Sequence, residues 1–493
     1  MVQFMELDFF PMAPSTFCNP LSIPNYPVGR LCRSAKNGDS TEGSLQWMSA
    51  VKEQFRELAD PSVLWHDNKW YLYPSVDMAW VSSDGGATWQ HHPLNIRDIG
   101  YAPTIEKHKG KFFILASNSE LYRSDSPLGP FETLGRIQFP PGVNYPEEVD
   151  PMLFSDDDDR LYYYWGCTER DGIWAVELDS DSPVRIVGQP VQVIPFCPDK
   201  HPWECLGSWN QDPNVGWLEG AWMLKRNQRY YLIYSAAGTS NKTYAKGCYI
   251  GDSPLGPFQP QKKNPILLST SGLITGTAHG SFVAGPDNSL WTFYTVRAVC
   301  AHGYERRIAM DRAAFDEAGE LYVPEVTSIP QWVTLSAKEM GSKPGWLPLN
   351  MGKRTVGSSS APNLTGYYAV DETMHTWWQP ASDDLTPTLT SHFGARATVH
   401  AVRLIWRDIG LDTNRGVLPG PFCYRVELET EKGIWSTVLD RTNSSEDYLI
   451  DYREIEPTSA MAARLVITGW PEGMTPGVVG FTLFGFIPKI APR

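Results

Sequence analysis

Three acidic residues stand at the same point of three similar stretches of this chain. They open Asp60-Pro61-Ser62-Val63-Leu64-Trp65, Asp150-Pro151-Met152-Leu153-Phe154 and Glu219-Gly220-Ala221-Trp222-Met223-Leu224. Each run leads through a polar turn to an aromatic-rich run: Trp70-Tyr71-Leu72-Tyr73, Leu161-Tyr162-Tyr163-Tyr164-Trp165 and Tyr230-Tyr231-Leu232-Ile233-Tyr234. Packing alone does not ask for an acid at a repeated position, because a buried carboxyl is costly. If the repeats surround an axis, the three carboxyls meet in one pocket. Carboxyls of unequal proton affinity suit glycoside hydrolysis: one protonates the leaving oxygen while another, ionised, activates water or attacks carbon. A third carboxylate nearby holds up the pKa of the acid by like-charge repulsion.

The elements that must position these acids are strands. Helical periodicity is almost absent, and short β-type runs recur between Gly, Pro, Asn and Asp. A repeated unit reads as head, apolar strand, turn, aromatic strand and shorter outer strand. Five heads are visible: Asp60, Ala102-Pro103-Thr104-Ile105, Asp150, Glu219 and Ala278-His279-Gly280-Ser281. Their spacing of roughly 40 to 70 residues fits propeller blades with variable loops. Two copies of Asp-Ser-Pro-Leu-Gly-Pro-Phe, at 125–131 and 252–258, mark equivalent turns between blades. Ser82-Ser83-Asp84-Gly85-Gly86-Ala87-Thr88-Trp89 resembles an Asp-box hairpin, in which Asp84 bonds the amides of its own turn. The fold class expected is all-β, a five-bladed β-propeller followed by a β-sandwich. Residues 1–50 are read as a segment packing on the propeller, 51–335 as the propeller and 350–493 as the sandwich.

Composition narrows the partners. The 493-residue chain carries 42 Lys and Arg against 56 Asp and Glu, a net charge of −14, which argues against nucleic acid and anionic membranes. No apolar run is long enough to span a bilayer. The first residues have no basic stretch followed by an apolar one, so a cytoplasmic location is expected unless the chain is a mature secreted form. Sequons occur at Asn241, Asn363 and Asn443. The eight cysteines include no Cys-x-x-Cys pair, which disfavours zinc. Cys197 and Cys205 are the nearest candidates for a disulfide, with buried free thiols as the alternative.

The strings Ala59-Asp60-Pro61-Ser62-Val63, Val149-Asp150-Pro151-Met152-Leu153-Phe154, Leu218-Glu219-Gly220-Ala221-Trp222, Ser-Pro-Leu-Gly-Pro-Phe and Gly276-Thr277-Ala278-His279-Gly280-Ser281 together resemble glycoside hydrolase family 43 over roughly residues 50 to 325. The resemblance implies a five-bladed propeller and an inverting mechanism. Asp60 would be the general base, Glu219 the general acid and Asp150 the group that tunes and orients the acid. It implies no cofactor for the chemistry. It sets His279 beside an axial calcium ion, against the plainer reading of a hydrogen-bonded histidine in a Gly-Ser-rich turn. Trp80, Trp165, Trp217 and Arg306 are expected on the loops that close the pocket and bind substrate.

The expected activity is exo-acting release of terminal furanosyl or xylosyl units from an oligosaccharide or polysaccharide. An α-L-arabinofuranosidase is preferred, with β-D-galactofuranosidase and β-xylosidase as alternatives. Two rivals stand beside it: a non-catalytic sugar-binding propeller, and a retaining hydrolase of the related invertase type. Towards the C-terminus, Tyr368-Ala369-Val370-Asp371-Glu372 and Thr376-Trp377-Trp378 resemble the discoidin-type sandwich of family 32 carbohydrate-binding modules. A structural brace is the stronger reading there.

Overall fold

A computed structural model describes residues 15–25, 56–96, 99–140, 145–298, 305–333, 340–412 and 415–487. Most of the 1–50 segment lies outside the described residues. Among those described there is no α-helix, only three short 3-10 turns between strands.

Five antiparallel sheets follow one another along the chain. The first blade comprises Ser62–His66, Lys69–Tyr73, Met78–Ser82 and Gln90–Pro93. The second comprises Thr104–His108, Lys111–Leu115, Leu121–Ser124 and Glu132–Gly135. The third contains Met152–Ser155, Leu161–Trp165, Ile173–Leu178 and Ile186–Ile194. The fourth contains Leu218–Arg226, Arg229–Ala236, Ala245–Gly251 and Phe258–Pro260, and gains a fifth strand, Cys167–Thr168, on its inner edge. The fifth contains Phe282–Ala284, Leu290–Arg297, Arg306–Phe315 and Leu321–Tyr322.

Neighbouring blades are stitched together at their heads by hydroxyl groups. The backbone N–H of Ala102 donates to Ser75 Oγ (3.0 Å), that of Asp150 to Ser117 Oγ (3.0 Å), that of His279 to Ser235 Oγ (2.9 Å) and that of Asp60 to Thr295 Oγ1 (2.8 Å). Each hydroxyl lies at the end of the second strand of the preceding blade, so a backbone donor that a head would bury alone is satisfied by its neighbour. The Asp60 bond links blade five to blade one and closes the ring. Two residues further along, Ser281 Oγ reinforces that closure by accepting from Val63 N–H (2.8 Å) and donating to the Pro61 carbonyl (2.7 Å).

The duplicated heptapeptides occupy matching places. Gly129 N–H donates to the Ser126 carbonyl (3.1 Å) and Gly256 N–H to that of Ser253 (3.0 Å). Tyr73 of blade one donates to the Pro127 carbonyl, as Tyr164 of blade three does to that of Pro254. The Asp-box turn is also self-contained, with Thr88 N–H and the Ser82 hydroxyl both donating to Asp84 Oδ1.

The C-terminal domain is a β-sandwich built largely from long strands: Thr388–Ile409, Cys423–Glu431, Ile434–Asp440, Ile450–Gly469 and Thr475–Phe486. Val402, Leu404 and Trp406 enter its own core, while Ala401 and Ile405 on the opposite face pack towards the propeller. Between the domains, buried Arg403 donates to the carbonyls of Asn19 (2.9 Å) and Ser328 (2.8 Å) and to Glu372 Oε2 (2.6 Å). Glu372 and the fully buried Trp378 come from the stretch that resembles a carbohydrate-binding module, and both serve packing. Cys197 and Cys205 are separate thiols rather than a disulfide.

Removing a buried charge partner leaves the other charge uncompensated, which typically costs about 3–5 kcal/mol. Arg403→Ala is therefore expected to lower the urea midpoint by that amount of stability. A midpoint equal to wild type would show that the interdomain charge cluster contributes nothing.

Candidate active site

Four of the five heads adopt a left-handed backbone at the head residue itself: Asp60 (φ 53°), Ala102 (49°), Asp150 (53°) and His279 (36°). This turn precedes the innermost strand and aims the head side chain into the channel. Blade four does it differently. Glu219 lies within its strand, paired with Ser235 on one side and Cys167 on the other, and left-handed residues flank it at Trp217 (φ 50°) and Gly220 (φ 57°). A Cβ on Gly220 would stand 2.8 Å from the His279 ring, so glycine is needed for both conformation and space.

The three acids converge and are nearly sealed from solvent: Asp60 is 1% exposed, Asp150 2% and Glu219 7%. His279 Nδ1 lies 3.3 Å from Asp60 Oδ1 and 3.6 Å from Asp150 Oδ2. Their surroundings differ sharply. Asp60 accepts from both terminal nitrogens of Arg306 (2.9 and 3.1 Å) and from Ser75 Oγ (2.8 Å). A bidentate guanidinium contact favours the ionised carboxylate. Asp150 has no such cation, and its Oδ1 is buried without a hydrogen-bond partner. Burial, then the charges of Glu219 and Asp60, push its carboxyl well above the usual range. Burial also raises Glu219, against donors from the Tyr244 hydroxyl and the Cys167 thiol (3.1 Å) that favour its charged form. Burial lowers His279 to about 4, so its imidazole is neutral at ordinary pH.

Arg306 is placed at the site, but not as a free substrate ligand. Its five N–H groups go to Glu57, Asp60 twice, Thr239 and Tyr101, and its side chain is 1% exposed. Trp80 and Trp165 correct the sequence expectation outright. Both are fully buried in blade cores, with their indole N–H groups donating to the carbonyls of Pro24 and Pro146, so neither presents a face to substrate. They lie on the second and third strands, whose rings fill the space between blades. Trp217 remains half-buried beside Gly238 at the rim.

Sequence reasoning missed Glu57, Tyr101, Cys167 and Tyr244. It also missed the hydroxyl collar, although Ser75, Ser117, Ser235 and Thr295 all lie at or just past the end of the second strand of a unit and could have been found as a further echo. In blade three, Gly166 takes the place of the collar hydroxyl and donates its N–H to the Val149 carbonyl (2.9 Å), as Ser75 does to that of Ala59 (3.0 Å). Cys167, one residue on, turns instead to the Glu219 carboxyl.

The model of the glycosyl hydrolases family 43 matches residues 59–321, more than half of the chain and all five blades. The chain belongs to glycosyl hydrolase family 43. Its family 43 relatives include a β-D-galactofuranosidase of Aspergillus niger, 27% identical over 55% of this chain and 83% of that protein. A β-xylosidase of Xylanibacter ruminicola is 25% identical over 46% of this chain and 83% of its own length. Among solved structures, a thermostable family-43 glycoside hydrolase is 26% identical, covers 56% of this chain and 95% of its own, and superposes with a TM-score of 0.47.

Calcium fits this group of residues poorly. Asp150, Glu219 and His279 bring one ligand atom each within 4.8 Å of one another. Calcium takes six to eight oxygen ligands, whereas one of these donors is nitrogen and both carboxyls bind protons more tightly than usual.

Two outcomes test this electrostatic division. A folded-state pKa raised above the unfolded value gives stability that is present below the unfolded pKa and lost as pH rises through the folded one. Asp150→Asn is thus expected to melt higher than wild type at pH 7, by ~1–3 kcal/mol of stability, with the gain vanishing towards pH 4. An equal melting temperature at both pH values would remove the strain from Asp150. Tyr244→Phe deletes a donor that favours ionised Glu219, so the basic limb of the kcat/KM profile should move to higher pH. A limb that stays in place would detach Tyr244 from the acid.

Proposed function

We propose that the chain is an exo-acting, inverting glycosidase that removes terminal furanosyl units, with α-L-arabinofuranosides as the first substrate class. The observation that carries this reading is the unequal environment of the carboxyls. One is clamped by a guanidinium, and burial raises the proton affinity of the other two, which is the pairing an acid and a base need at one pH.

In this reading Glu219 gives its proton to the glycosidic oxygen as the bond to the anomeric carbon breaks. Asp60 takes a proton from the water that attacks the opposite face of the sugar, and Arg306 keeps Asp60 ionised beforehand. Asp150 shares the dry space with Glu219, so the two carboxyls resist ionising together and a proton stays available to the acid. His279, neutral, lies between the two aspartates without adding a positive charge that would pull the proton from the acid. Single displacement with inversion follows from water, rather than Asp60, forming the new bond. Three carboxyls so deeply buried suit the end of a glycan chain better than its middle.

The β-D-galactofuranosidase relative favours a second reading, in which β-D-galactofuranosides are the substrate. The β-xylosidase relative keeps β-xylosides as a third. Nitrophenyl α-L-arabinofuranoside, β-D-galactofuranoside and β-D-xyloside, assayed side by side, separate these classes. The arabinofuranoside is expected to have the highest kcat/KM, and a tenfold preference for either of the others would reassign the sugar. Asp60→Asn and Glu219→Gln should each lower kcat by a factor of at least about a thousand while melting as cooperatively as wild type. Near-wild-type turnover in either would sink the assignment. Proton NMR of the first-formed product should show the inverted anomer; retention would make Asp60 a nucleophile.

A further inference from the structure

Trp209 is 78% exposed, yet the loop that carries it is firmly built. Leu206 N–H donates to the Val215 carbonyl (2.7 Å), and Asp212 N–H donates back to that of Leu206 (3.1 Å). At the tip, Trp209 N–H donates to Gln211 Oε1 (3.0 Å), and the Asn210 amide bonds the carbonyls of Trp203 (2.9 Å) and Cys205 (2.8 Å). The hairpin is fastened to the rim of blade four by Thr243 Oγ1, which donates to the Gly207 carbonyl (2.7 Å). Lys242 Nζ sits 3.7 Å from the centre of the Trp209 ring and covers one face of the indole. The other face is open. An ordered apolar face costs little further entropy when a ligand settles on it.

One short stretch ties the hairpin to the site, with Lys242 on Trp209, Thr243 on Gly207 and Thr239 on Arg306. The hairpin runs into Trp217, two residues before Glu219, the group that protonates the departing oxygen. The same rim segment carries Thr239, whose hydroxyl accepts from Arg306 above Asp60 (2.9 Å). We infer that the open face of Trp209 is a stacking platform for the sugar ring on the leaving-group side of the scissile bond, making this hairpin a determinant of which glycan carries the terminal unit. Lys242, on the covered face, fixes the tilt of the indole.

This inference rests on the glycosidase reading above, and the experiment separates the two. The terminal sugar favoured in the nitrophenyl panel is supplied as its glycosyl fluoride, which has no leaving sugar, and mounted on xylotetraose. The readout is the ratio of kcat/KM on the oligosaccharide to kcat/KM on the fluoride. In Trp209→Ala this ratio should fall about tenfold, the order expected for uncovering one indole face, and the fall should lie in KM. Trp209→Phe should restore most of it. A ratio equal to wild type in Trp209→Ala would overturn the platform. Failure of the wild-type protein to hydrolyse any glycoside of the nitrophenyl panel would overturn the glycosidase reading instead. In that event, calorimetric titration with xylotetraose still decides the platform, which fails if Trp209→Ala binds the tetraose as tightly as wild type.

Discussion

The buried guanidinium of Arg306 is the interaction on which the rest of this site depends. A fully desolvated charge is tolerated only when its donors are all matched, and losing one partner costs several kcal/mol. Here the partners come from around the ring: Glu57 and Asp60 before blade one, Tyr101 before blade two and Thr239 after the second strand of blade four, while Arg306 itself begins a strand of blade five. One side chain thus gathers four blades at their heads. It also divides the site electrically, because its positive charge goes to Asp60 and leaves Asp150 and Glu219 to share a dry space without a cation.

Backbone geometry enforces the same division. Left-handed heads turn the side chains of Asp60, Ala102, Asp150 and His279 inward, and hydroxyls of the neighbouring blades hold those turns in place. Blade four breaks the pattern at Glu219. Glu219 remains in its ladder, with a thiol and a phenol on its carboxyl, and the left-handed residues lie on either side of it, at Trp217 and Gly220. The acid is therefore held by a strand on each side rather than by a turn. Ala102 leaves one head empty of charge.

The C-terminal sandwich acts through packing. Arg403 reaches across to the carbonyls of Asn19 and Ser328, and Arg56, four residues before Asp60, is clamped by Asp408 of the sandwich (2.8 and 3.0 Å). Residues 15–25 run along this seam: Thr16–Phe17 pairs with Gln331–Trp332, and Leu21 N–H donates to the Ile308 carbonyl (2.8 Å). The domain braces the ring where blades five and one meet. The stretch that resembles a sugar-binding module is spent there on Arg403 and on core packing.

The blade count and the positions of Asp60, Asp150, Glu219 and His279 were legible in the sequence, because a propeller repeats and repetition aligns its heads. The Asp-box and heptapeptide turns were legible too, since their bonds close within a few residues. Trp80 and Trp165 were misread for a physical reason: an aromatic on a second or third strand looks the same in sequence whether its ring faces substrate or a neighbouring blade. Glu57, Tyr101, Cys167 and Tyr244 reach the carboxyls only once the ring has closed, and nothing local marks them. The sequence by itself determined which residues stand at the blade heads, since strand period and turn chemistry are local. Only the tertiary structure decided which carboxyl meets Arg306 and which is left dry, because proton affinity depends on burial and on charges brought close from distant parts of the chain.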